Sequence, residues 1–217
     1  MLYIVSTPIG NLGDITLRAL EALRSVDLIA CEDTRHTRIL LEHYDIKKEM
    51  ISYHQHSGRL KTDKVISFLK GGKNIALVTD AGTPGVSDPG QRLISEVIKS
   101  KIAITVLPGP SALMAALPLS GFPSSEFSFF GFLPHKKGRQ KALSNLAKEE
   151  RTVVLYESVH RIKKLLKELR EVIPDREIFV GREITKKFEE VYRGKASDII
   201  NSVKEKGEFV LIIKGEK

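Results

Sequence analysis

Apolar and polar positions change period in blocks along the first half of the chain. Short continuous apolar runs at Leu2–Ser6, Leu28–Cys31, Met50–His54, Ile75–Thr79 and Ile102–Leu107 read as strands buried on both faces. Between them, apolar residues recur at helical spacing over Thr16–Arg24, Arg35–Tyr44, Lys61–Lys70 and Asp88–Lys99. The last stretch carries Leu93, Ile94, Val97 and Ile98, with Asp88 expected as N-cap and Pro89 at the first helical position. Such alternation predicts a parallel sheet with helices on both faces. Pro108-Gly-Pro-Ser111 then leads into a small-residue helix, Ser111–Leu117.

The turn formers of Pro118-Leu-Ser-Gly-Phe-Pro-Ser-Ser125 mark the expected domain boundary, giving domains of residues 1–117 and 118–217. Beyond it, strands are predicted near Phe127–Phe130, Thr152–Tyr156, Glu177–Val180, Glu189–Arg193 and Phe209–Ile213. Helices are predicted near Arg139–Ala147, Val159–Val172 and Ala196–Lys204, with Ser158 as a candidate N-cap and Arg161 on an exposed first turn. The short spacings around the last strands favour a mixed sheet. The fold class is therefore two α/β domains, and the ligand is expected in a cleft between them.

Three glycine- and proline-rich loops follow strands of the first domain: Thr7–Gly13, Asp80–Gly90 and Pro108–Ser111. On one edge of a parallel sheet they would form a ligand floor, where small residues expose bare backbone. The spacing Gly85…Gly90 imitates a phosphate-binding loop, but Gln91-Arg92 stands where Lys-Ser/Thr is required. Gly10-x-x-Gly13 lacks the paired glycine of a dinucleotide fingerprint. ATP and NAD are disfavoured.

Charge adds a second hint. The formal net charge is +8, with the excess concentrated in the second half and densest at His135-Lys-Lys-Gly-Arg-Gln-Lys141. That suits a polyanion such as RNA, although a solvated lysine-rich surface looks the same. The single cysteine, Cys31, allows no intrachain disulfide and reads as a small buried apolar residue. With no secretory signal at Met1-Leu-Tyr-Ile-Val-Ser and no membrane-spanning run, a cytoplasmic location is expected.

Candidate chemistry gathers at strand ends. Cys31-Glu-Asp-Thr-Arg35 puts two carboxylates where side chains alternate, so Glu32 and Asp33 should point to different sides. One would face the cleft while the other caps the next helix; both serving as helix-start acids is the competing reading. His54-Gln-His56 has the look of a metal pair, but no second pair has matching spacing, and no metal is expected. Tyr156-Glu-Ser-Val-His-Arg161 ends another strand in polar groups.

Taken together, Tyr3–Thr16, Cys31–Arg35, Leu77–Gly90, Leu107–Ala112 and Leu155–Arg161 resemble the tetrapyrrole-methylase superfamily. The match is closest to its branch of bacterial 16S ribosomal RNA cytidine-2′-O-methyltransferases. Many members of that branch continue well past the last strand, whereas this chain ends at Lys217. The resemblance implies S-adenosylmethionine as cofactor, contacting Pro8, Ala81, Gly82, Thr83, Val86, Ser111, Ala112, Tyr156 and Glu157. It also implies the 16S RNA of the small ribosomal subunit as partner, and a homodimer. Glu32 is the first candidate for the base that takes the ribose proton and Asp80 the second, while Arg35, Arg38, Lys136, Lys137 and Arg139 are candidates for gripping phosphates. Rival readings are a methyltransferase acting on a tetrapyrrole or a protein residue, and a non-catalytic RNA-binding subunit.

Overall fold

The computed structural model describes residues 1–55 and 57–216. It forms two compact units, Met1–Ser111 and Ala112–Lys217. The division falls ahead of the Pro118 stretch because helix α5 (Ala112–Ser120) carries that proline in its last turn. Leu113, Ala116 and Leu117 of α5 pack on Val154, Phe179, Val210 and Ile212 of the second sheet, so the helix belongs with the second unit.

In the first unit β1 (Leu2–Val5), β2 (Leu28–Cys31), β3 (Met50–Ser52), β4 (Ile75–Val78) and β5 (Ile104–Leu107) form one parallel sheet in the order β3-β2-β4-β1-β5. Every residue of β2 and β4 is buried, as their unbroken apolar runs require. Period-two alternation assigns the faces. Ile29, Cys31, Ala76 and Val78 meet α1 (Leu17–Ser25) and α2 (Thr34–His43). Leu28, Ala30, Ile75 and Leu77 meet α3 (Arg59–Lys70) and α4 (Gln91–Lys99). Because all five strands run the same way, the loops after β1, β2, β4 and β5 leave from one edge.

One expected helix start is corrected. Asp88 does not cap α4; the N-cap is Gly90 at φ +130°. The Gly85 N–H donates to the Pro89 carbonyl at 3.2 Å and closes a small loop before the helix begins. A side chain at Gly90 would bring Cβ within 3.0 Å of Leu77 Cδ2, so only glycine fits this turn.

The second unit holds β6 (Phe127–Phe132), β7 (Thr152–Glu157), β8 (Ile178–Arg182), β9 (Glu190–Gly194) and β10 (Phe209–Ile213) in the order β6-β7-β10-β8-β9. Only β6 and β7 pair parallel, and the remaining pairs are antiparallel, a mixed sheet as expected. Helices α6 (Arg139–Ala147), α7 (Ile162–Val172) and α8 (Ala196–Ile199) cover one face and α5 the other. Ser158 does not cap α7 with its side chain; its carbonyl accepts the Arg161 and Ile162 amides in a turn, and Arg161 is the N-cap. Among the described residues no helix is long and apolar enough to cross a membrane.

Candidate active site

The loops after β1 and β4 are stitched together outside the sheet. Thr7 N–H donates to the Gly82 carbonyl at 2.9 Å, and Gly82 N–H returns a bond to the Thr7 carbonyl at 3.1 Å. The Thr7 hydroxyl donates to the Thr79 carbonyl at 3.0 Å, and the Ser6 and Thr83 hydroxyls lie 2.8 Å apart. Gly82 takes φ +85°, which lets the second loop turn back onto the first. The loop after β5 joins them: a Cβ on Gly109 would stand 3.0 Å from Ser6 Cβ. Pro8 is buried beneath this floor, whereas Ala81, Val86 and Gly109 are exposed on it. A hollow of about 160 Å³ opens between the first loop and α2, lined by Pro8, Leu12, His36 and Asp80 among others.

Carboxyl groups crowd the same edge. Glu32 follows directly on β2, and the buried Thr79 hydroxyl donates to its Oε2 at 2.8 Å. Its neighbour Asp33 takes the capping role. Asp33 caps α2 by accepting the Arg35 amide at 2.8 Å, and its carboxylate holds the Arg35 guanidinium at 2.6 Å. Those bonds keep the Asp33 carboxyl well below the usual range. Asp80 accepts the Asp33 N–H at 3.1 Å. Burial raises the Asp80 pKa, the Asp33 amide opposes this, and the nearby Glu32 charge adds to the rise.

Asp88 completes the group, a role its place beside a proline concealed. Burial, reinforced by Glu32, pushes its carboxyl up to about 7 against the pull of the Thr79 hydroxyl. Burial also lifts the Cys31 thiol to about 11, which leaves it inert as a nucleophile near neutrality. Glu32, Asp80 and Asp88 thus gather three carboxyl groups at one edge of the first unit.

Other sequence candidates are placed as follows. Ser111 and Ala112 are half-buried, and the Leu113 N–H donates to the Tyr156 hydroxyl at 3.1 Å. The Glu157 carboxylate is fully buried, bonded to the Ser158 amide at 2.8 Å and to Arg161 at 2.7 Å; its charge is already committed inside the second unit. Arg35 and Arg38 are exposed on α2, as are Lys136 and Lys137 before α6. Arg139 is not: only 3% exposed, it grips Glu168 at 2.6 Å and is unavailable to a phosphate from outside. A basic run reads uniformly exposed in sequence, and its one buried member has its partner on a later helix. His54 is half-buried, its amide donating to Ser57 Oγ at 2.9 Å, and His56 lies outside the described residues. Among the described residues no group of three His, Cys, Asp or Glu could hold a metal ion.

The family model for tetrapyrrole (corrin/porphyrin) methylases matches residues 1–200. A Thermotoga maritima protein named ribosomal RNA small subunit methyltransferase I is 46% identical, over 100% of this chain and 99% of its own length. A Synechocystis protein of the same name is 48% identical, over 99% of this chain and 79% of its own length. Among solved structures, Thermus thermophilus uroporphyrin-III C-methyl transferase complexed with S-adenyl homocysteine superposes with a TM-score of 0.71 at 17% identity, covering 98% of this chain and 96% of the other. A diphthine synthase reaches a TM-score of 0.76 at 14% identity, covering 98% of this chain and 89% of the other. At such identities the two structures speak for the fold alone. The family match over most of the sequence, with relatives this similar along its whole length, shows that the chain belongs to the tetrapyrrole methylases.

Proposed function

We propose that this protein transfers a methyl group from S-adenosylmethionine to the 2′-oxygen of a cytidine ribose in the 16S RNA of the small ribosomal subunit. The observation that carries the reading is the full-length likeness to relatives named ribosomal RNA small subunit methyltransferase I. The site's own chemistry supports it. Exposed Ala81 and Gly109 offer backbone to a flat ligand, Val86 an apolar contact, and Ser6 and Thr83 a pair of hydroxyls. Pro8 and Gly82 set the floor beneath them. The acidic edge suits a positively charged sulfur, so the residues fit the cofactor. When bound, S-adenosylmethionine supplies the activated methyl group.

The protein's own part is then positioning and proton transfer. A ribose hydroxyl attacks well only as its proton leaves, and Glu32 is the acceptor, oriented by the Thr79 hydroxyl. Asp80 is bound to the Asp33 amide and shapes the edge beside it. Arg35, Arg38, Lys136 and Lys137 contribute phosphate contacts. Arg139 and Glu157 serve instead as interior supports. The same reading makes the protein a cytoplasmic homodimer.

Tritiated-methyl transfer to small subunits from a strain lacking the modification tests this. Label recovered in 2′-O-methylcytidine after digestion to nucleosides is the expected result. Label confined to another nucleoside, or transferred only to a tetrapyrrole, would overturn it.

A further inference from the structure

We propose that the turn His135-Lys-Lys-Gly138 is a pre-shaped clamp for RNA backbone phosphates, and that the buried arginines Arg139 and Arg161 are positioning residues that hold it in shape. The proposal rests on the ribosomal RNA reading and deepens it.

The chain enters this turn through two successive carbonyls, and each is bound by a different guanidinium. Arg161 Nη1 donates to the Leu133 carbonyl at 3.0 Å, and Arg139 Nη1 to the Pro134 carbonyl at 3.0 Å. The exit is fixed as well. Gly138 takes φ +84°, and the Arg139 amide closes back on the Lys136 carbonyl at 3.2 Å.

Behind the turn the guanidiniums are locked by acids. Arg139 forks onto Glu168 through Nε at 3.0 Å and Nη2 at 2.6 Å. Arg161 binds Glu157 at 2.7 Å and Ser158 Oγ at 3.2 Å, and Glu157 stands 3.9 Å from Arg139. The four side chains are 0–15% exposed. Arg139 and Arg161 balance Glu157 and Glu168, and the exposed Lys164 also stands 3.9 Å from Glu168, so no acid of the network is left over for the lysines of the turn. Neither Lys136 nor Lys137 has an acidic partner among the described residues, and both are exposed.

Stability alone does not account for this arrangement. A buried ionic network can often be replaced by apolar packing without loss, and Glu157 Oε2 even lacks a hydrogen-bond partner. What the network supplies is geometry: a surface turn whose two ends are fixed from beneath. With the backbone of the turn held this way, only the lysine side chains have to be ordered when they meet adjacent phosphates. Lysine is a point charge that contacts phosphate without reading bases, so the clamp adds affinity and register but no sequence preference.

The experiment measures binding of the full chain to unmethylated small subunits as a function of salt. Lys136→Ala with Lys137→Ala should weaken binding and flatten the log–log salt slope by roughly 1.5, the value for two lost phosphate contacts. Arg161→Lys keeps the charge but cannot bind Glu157, Ser158 and the Leu133 carbonyl together. It should weaken binding several-fold with the slope unchanged, and cause no further loss in the double-lysine background. Inserting two glycines between Lys137 and Gly138 loosens the turn without touching the network, and should reproduce the Arg161→Lys effect if that variant fails to fold. An unaltered slope after lysine removal overturns the clamp. Losses from Arg161→Lys or the glycine insertion that multiply independently of the lysines overturn the positioning role. If the unsubstituted chain neither binds subunits nor methylates them, the functional reading itself fails; methylation with a slope indifferent to the lysines sinks the clamp alone.

Discussion

Both units gather carboxyl groups near the carboxyl end of a strand, half-buried in the first and buried at Glu157 in the second, and they treat them in opposite ways. At the edge of the first sheet, Glu32, Asp80 and Asp88 lie near one another and a threonine, while the exposed Arg35 pairs with Asp33 and not with them. At the end of β7, Glu157 and its neighbour Glu168 are matched by Arg161 and Arg139. Matched acids hold a structure in place, whereas carboxyl groups left beside one another raise the cost of charging, as at Asp80 and Asp88. The two sheets of this chain thus place opposite electrostatics at the ends of their strands.

The largest effect should come from breaking the paired side. Glu157→Ala leaves buried guanidinium charge uncompensated and should cost about 3–5 kcal/mol of folding free energy, read by chemical denaturation. Next is the unpaired side: Glu32→Gln should lower methyl transfer at saturating subunit by about a hundredfold or more while cofactor binding, measured by calorimetry, persists. Thr79→Val keeps the shape but removes the hydroxyl from Glu32. A hydrogen bond to a charged group contributes about 1.5–3 kcal/mol, so turnover should fall by about tenfold or more, with stability lowered as well.

The smallest effect concerns pH. Asp88 has an ordinary value of 3.8 and is raised to about 7 in the folded chain. Between those limits the folded state holds a proton that the unfolded state has released. Stability from this group is therefore full below its ordinary value and is lost as pH rises through about 7. Asp88→Asn should remove that decline and stabilise the protein at pH 8 by about 1 kcal/mol, after allowance for solvent near the carboxyl. On the second unit the sign reverses: hydrogen bonds from Arg151 hold Glu149 down to about 2, so its contribution is lost only as pH falls toward that value. A stability profile of the Asp88→Asn chain that declines between pH 4 and 7 as steeply as that of the unsubstituted chain would break the comparison.

Much of this was legible in the residues themselves. The runs Leu28–Cys31, Arg139–Ala147 and Phe209–Ile213 carry their element bounds in their periodicity, and the structure places them there. Glu32 and Asp33 are indistinguishable by local pattern, since either can start the next helix; the structure gives the cap to Asp33 and a Thr79 hydroxyl to Glu32. Asp88 is concealed because Asp-Pro is a strong local helix-start signal and its true setting depends on Glu32 and Thr79, far away in sequence. Arg139 is hidden from local pattern for a related reason. Its neighbours Lys136 and Lys137 are exposed, and only the tertiary position of Glu168 draws that one cation inward. Local pattern reports elements well and long-range electrostatics poorly.

The reciprocal bond pair between Thr7 and Gly82 has a mechanical consequence. It is one extra rung of ladder, antiparallel, added where two parallel strands have already let go of each other. Two excursions from the sheet that would otherwise drift separately are thereby coupled into a single plate. Whatever settles on that plate meets a surface whose relaxation was completed during folding, and little of its binding energy is diverted into straightening the protein.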